Sequence, residues 1–133
     1  MTADLVEFLR ARLNEDSGYA RHAATEAGTD WRTPASGVLE TADDLHGLGD
    51  SRLTSFISRF DPGWVLAEVA AKRSILDECA AAIESGEIQP GTTWNDMAAG
   101  AELAVDVLQL LAAPYASHPD YQAAWSPTNA VTP

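Results

Sequence analysis

"DPGWVLAEVAAKRSILDECAAAIESG", residues 61–86, decides the fold class. Asp61 suits an N-cap, because its carboxylate can accept from the free amides of a first helical turn. Pro62 suits the first helical position, where φ is preset and the missing N–H is no loss. Gly86 stands where the helix is expected to end. Between them Val65, Val69, Leu76, Ala80 and Ile83 form an apolar stripe at helical spacing. The stretch therefore predicts one long amphipathic helix, and the rest of the chain is read as what packs on it.

Downstream, "TTWNDMAAG" opens a second long helix, with Thr93 and Asp96 spaced as a capping box in which Asp replaces Glu. Pro114 is expected to end it. At about 100° per residue, Trp94, Met97, Ala101, Val105, Leu108 and Ala112 share one face, and Leu103, Val107 and Leu110 fall nearly opposite. Two apolar sides predict a central helix. A polar line of Asn95, Glu102, Asp106 and Gln109 lies between them. Lys72 projects from the apolar stripe of the preceding helix, with Arg73 beside it. An antiparallel hairpin turning at 87–92 would set Lys72 or Arg73 opposite Glu102 and Asp106. One reading is a structural ion pair that fixes register, with the lysine stem covering apolar surface. The other is a charged pocket for a polar ligand or for acid–base chemistry. The ion pair is the expectation.

Upstream, a first helix is expected from near Ala3 to about Ala24, with Thr2 as cap and Leu5, Phe8, Leu9 and Leu13 on one face. Gly18 and Gly28 are where it would fray or end. "DWRT" and "GVLET", separated by Pro and Gly, suit a short hairpin, and the Gly-, Asp- and His-containing stretch after them reads as loop. "DSRLTSFISRF" suits a short helix capped by Asp50 or Ser51, with Leu53, Phe56, Ile57 and Phe60 facing inward. The predicted fold is mostly α: a compact helical bundle with a small β-hairpin between the first and second helices. Residues 1–125 are expected to form a single domain and 126–133 a disordered tail.

"APYASHPDYQAAW", residues 113–125, is unusually rich in rings and prolines. His118 and Asp120 have the chemistry of a proton-transfer pair. A clasp explains more of the residues: Pro114 stops the helix, and Tyr115, Tyr121 and Trp125 supply apolar area to seal one end of the bundle. Tyr115, His118, Asp120, Tyr121 and Trp125 are therefore assigned to a C-terminal clasp.

The chain has 133 residues and a formal net charge of −12. No Lys or Arg follows Arg73, whereas Asp77, Glu78, Glu84, Glu87, Asp96, Glu102, Asp106 and Asp120 do. Such a surface repels nucleic acid and complements a basic protein. A single cysteine, Cys79, an N-terminus interrupted by charges and the lack of a membrane-length apolar run predict a cytoplasmic protein. His22, His46 and His118 are not at metal-ligand spacing with one another or with Cys79. No Walker, dinucleotide-binding or nucleophile-elbow signature is present, so no metal, cofactor or catalytic set is assigned.

"DLVEFLRARLNED", "ISRFDPGWVLAEVAAKRSIL" and "LLAAPYASHPDYQAAW" resemble the landmark stretches of an uncharacterised family of small actinobacterial and actinobacteriophage proteins. The resemblance spans most of the chain and implies a cytoplasmic setting but no established activity. Members of that family often carry histidines before the Asp-Pro, as in "HIARHDP"; here those positions are Phe56 and Phe60, which favours packing over histidine chemistry.

The expected function is a non-enzymatic acidic interaction module, an adaptor or inhibitor, binding a basic protein through Glu84, Glu87 and Asp96. A DNA-mimic inhibitor, and a ligand or enzyme site at Lys72, Glu102 and Asp106, are the alternatives. Homodimerisation through an exposed helix face is compatible with either class.

Overall fold

The computed structural model describes residues 2–88 and 94–127, with the side chains of 87, 88 and 94–98 outside the described set. Four helices, α1 (Thr2–Ala27), α2 (Ser51–Arg59), α3 (Pro62–Ile88) and α4 (Trp94–Ala112), carry most of the chain. Three short strands, β1 (Arg32–Ala35), β2 (Val38–Glu40) and β3 (Leu45–Gly47), lie between α1 and α2. The fold is thus mostly α with a small antiparallel sheet. The chain divides into two compact units, residues 14–71 and residues 1–13 with 72–133.

In the 14–71 unit, α1 runs through Gly18 and stops at Gly28, which has φ of +78° and donates to Ala24 O at 2.9 Å. A glycine inside a helix costs only about 1 kcal/mol, which the flanking turns outweigh. The last carbonyl of α1 is satisfied twice: Ala27 O accepts from the Ala42 amide at 2.9 Å and from the Trp31 indole at 3.0 Å. A Cβ on Gly28 would stand 2.9 Å from the Ala42 Cβ in a left-handed backbone conformation. Gly28→Ala is therefore expected to lower stability by about 1–2 kcal/mol, read by denaturant unfolding.

The strands pair β1–β2–β3, with Leu39 opposite His46 and Glu40 opposite Leu45. The β1–β2 hairpin is the one expected from "DWRT" and "GVLET". The third strand replaces a predicted loop, because "LHG" has no apolar alternation and is held by backbone pairing to β2 and a contact between the His46 ring and the Thr41 hydroxyl. Gly37, with φ of +74°, turns the hairpin, and its carbonyl accepts from the Leu48 and Gly49 amides.

Asp50 caps α2 by accepting from the amides of Arg52 and Leu53 at 2.8 and 3.2 Å. The buried side chain of α2 is Thr54, whose hydroxyl donates to the carbonyls of Asp50 and Ser51. Leu53, Phe56 and Phe60 are exposed, not inward-facing as their spacing predicts. Thr54 wins the buried position because its hydroxyl is satisfied within the helix, and its face is the one turned to β1 and β2.

Asp61 ties the start of α3 to the loop after α1. Its carboxylate accepts from Trp64 N at 2.9 Å and from Trp31 N at 3.1 Å, while the Gly63 amide donates to Thr29 O at 2.9 Å. The free amides of the first turn are thus satisfied from two directions.

In the other unit, Leu5, Phe8, Leu9 and Leu13 of α1, Leu76 and Ile83 of α3, Ala104, Leu108 and Ala112 of α4, and Trp125 form the apolar core. The α3 helix passes through Gly86 to Ile88 instead of ending there. One side of α4 is buried at Leu108 and Ala112, but Leu103 and Leu110 are exposed, so α4 is not apolar-packed on both sides. As expected at Pro114, α4 gives way to a 3₁₀ turn at Ala113–Tyr115; a second follows at Ala123–Trp125. The proposed Thr93 cap and the tail residues 128–133 lie outside the described residues.

Candidate functional site

The densest grouping of chemically capable side chains surrounds Phe8. Tyr115, His118 and Tyr121 meet its ring edge-on at centroid distances of 6.3, 5.7 and 6.0 Å, and Trp125 lies tilted at 5.0 Å. Tyr121 and Trp125 also meet edge-to-face at 5.7 Å. Such arrangements set positive ring edges against negative faces. Two turns place these rings: the His118 amide donates to Tyr115 O, and the Tyr121 amide to His118 O.

Arg12 completes the grouping from α1. It is only 8% exposed, and its guanidinium carbon lies 5.1 Å from the Phe8 ring centroid. Its Nη1 is 2.8 Å from His118 Nδ1 and also contacts Nε2. A guanidinium can only donate, so the imidazole accepts. The Asp120 backbone amide donates to the same Nδ1 at 3.1 Å. Two donors directed at Nδ1 tie the imidazole to Arg12 and to the turn at Asp120. The recorded contact between the two residues of the candidate proton-transfer pair uses the Asp120 backbone, and the Asp120 carboxylate is exposed. Arg12 was not legible as a partner, because 106 residues separate it from His118 and no local spacing links them.

Glu102 and Asp106 are exposed on α4; Lys72 and Arg73 are half-buried on α3, and both have polar or electrostatic partners. The segment 89–93 that joins the two helices lies outside the described residues. On the first turns of α1, Arg10 pairs with Asp77 of α3 at 3.3 Å, both largely exposed.

Of the three carboxylates expected to meet a partner, Glu84 is exposed, while the side chains of Glu87 and Asp96 lie outside the described residues. Glu84 borders an open cleft of about 540 Å³ between α1 and α3. Val6, Ala80 and Ile83 form its apolar part, with Glu7, Glu84 and Arg10 at its edge. The sequence signalled Glu84 through the absence of nearby cations; Glu7 was missed because it lies on another helix.

Cys79 is half-buried. Burial pushes its thiol above the usual range, and the charge of Glu78 adds to the effect. The neutral thiol is thereby favoured, which makes it a poor nucleophile.

The other conspicuous feature is an exposed ladder of rings on α2 and the start of α3, Phe56–Phe60 at 5.0 Å and Phe60–Trp64 at 4.8 Å. Sequence reasoning placed Phe56 and Phe60 in the core; the flanking Arg52 and Arg59 were the available signal for a surface.

Among the described residues, no three His, Cys, Asp or Glu side chains converge as metal ligands, and no helix is long and apolar enough to cross a membrane. No curated protein and no solved structure matches the chain significantly. A family profile described as a family of unknown function, DUF6221, matches residues 2–127. Matched over nearly its whole length, the chain belongs to that family.

Proposed function

We propose that the protein is a non-enzymatic interaction module, an adaptor or inhibitor acting in the cytoplasm, which docks a basic protein partner. The cleft between α1 and α3 carries this reading. Its apolar part, Val6, Ala80 and Ile83, suits the stem of a partner Lys or Arg, and the exposed carboxylates of Glu7 and Glu84 suit the cationic head. The net charge of −12 steers basic partners toward such a surface. His118, the best candidate for proton transfer, is engaged by Arg12 instead.

The test is capture from lysate at low and high salt with wild type, Glu7→Lys and Glu84→Lys. A specific partner held at low salt, released at high salt and lost about tenfold or more to each reversal supports the reading. A partner retained equally by wild type and both variants contradicts it.

A further inference from the structure

Two helices of this chain present complementary faces. On α2, Phe56 is 63% exposed, with Leu53 and Phe60 exposed to one side of it. Arg52 and Arg59, also exposed, flank the other side at about 100° per residue. On α4, Leu103 is 64% and Leu110 59% exposed, one above the other at i and i+7. Glu102 and Asp106 flank that leucine stripe. Single exposed apolar residues are ordinary, but a row of them edged by one sign of charge marks a contact surface.

The handedness of the two faces adds a constraint. Along each helix, viewed from its N-terminus, the charged flank lies on the same rotational side of the apolar row. Antiparallel helices bring like flanks together, whereas parallel helices bring unlike flanks together. Antiparallel docking therefore sets Arg59 near Glu102 and Arg52 near Asp106, with Phe56 level with Leu103. The arginines are roughly 10 Å apart along their axis and the carboxylates roughly 6 Å along theirs. Arginine side chains are long enough to span that difference.

We infer that α2 of one copy packs antiparallel on α4 of a second copy, so that the partner of this surface is the chain itself. The inference is separate from the basic partner proposed for the Glu7–Glu84 cleft and involves different residues. Two copies each of charge −12 repel at long range, but that repulsion fades over about 8 Å at physiological ionic strength, whereas the paired charges would be in contact. Salt thus weakens both terms, and charge reversal is the cleaner probe.

Sedimentation velocity over a concentration series reads the outcome. Wild type is expected to self-associate, and Phe56→Glu to sediment as a monomer. Arg52→Glu/Arg59→Glu makes both faces acidic, and Glu102→Arg/Asp106→Arg makes both basic. Each double variant alone is expected to be monomeric, with helical content unchanged by circular dichroism. Mixed in equal amounts, the two are expected to associate again, because each supplies the charge the other lacks. A wild type monomeric throughout the series overturns the inference. So does self-association that survives both double variants, or a mixture that stays monomeric.

Discussion

Phe8→Ala is expected to lower stability by about 3–5 kcal/mol and the melting temperature by roughly 10–20 °C. Phe8 is buried at the meeting point of Tyr115, His118, Tyr121 and Trp125, so its removal leaves a cavity that four rings must collapse into. Arg12, whose guanidinium lies over the same ring, would lose that face while staying buried. The effect should be largest at the C-terminal segment: amide hydrogen exchange at residues 115–125 is expected to accelerate more than exchange in α2. Phe8→Leu keeps much of the volume and loses only ring-edge contacts, and should cost about 1–2 kcal/mol. A loss below 1 kcal/mol for Phe8→Ala would mean that the ring cluster does not hold the chain end.

The second large effect is expected at Asp61. Asp61→Ala removes the N-cap of α3 and the acceptor for the Trp31 amide together. Capping alone is worth about 0.5–2 kcal/mol, and a hydrogen bond to a charged group about 1.5–3 kcal/mol, so a combined loss of about 2–5 kcal/mol is expected. Asp61→Asn keeps one oxygen, for the Trp64 amide, but turns an NH2 toward the Trp31 amide, and should cost about 1–3 kcal/mol. Chemical denaturation of the three proteins decides this. Equal losses for Ala and Asn would show that the bond to the Trp64 amide, which Asn keeps, contributes little.

These two positions differ in how far the sequence revealed them. Asp61 was legible as a cap because Asp-Pro before an apolar repeat is a local signal, and the structure uses it so. Its second bond, to Trp31, was not legible, since nothing local relates residues 31 and 61. The rings of 113–125 announced themselves by composition, and the position of Pro114 located the end of α4 to within two residues. That Phe8 and Arg12 would receive them could not be read, because four residues on one helical turn look alike until a partner arrives.

The misreadings share a physical cause. Apolar periodicity shows that a helix has a face, not which neighbour covers it. On α2 the aromatic face was read as inward, yet Thr54 is buried there and Phe56 is exposed. On α4 both apolar sides were read as packed, yet only the Leu108 side is. Gly18 suggests fraying and Gly86 a helix end, although neither has a positive φ and each is carried inside a long helix. Strand β3 was missed because its three residues are exposed and gain their place from pairing with β2.

The proposed function implies a division of labour, in which the ring cluster around Phe8 would hold the fold and the cleft at Glu7 and Glu84 would bind the partner. The most direct measurement sets His118→Ala beside Glu84→Lys, reading thermal melting and partner capture on the same preparations. The account predicts that His118→Ala melts at lower temperature yet captures the partner as well as wild type below its transition. Glu84→Lys should melt as wild type and lose capture. The opposite pattern, with capture lost at His118 and kept at Glu84, would contradict the account and make the ring cluster the working site.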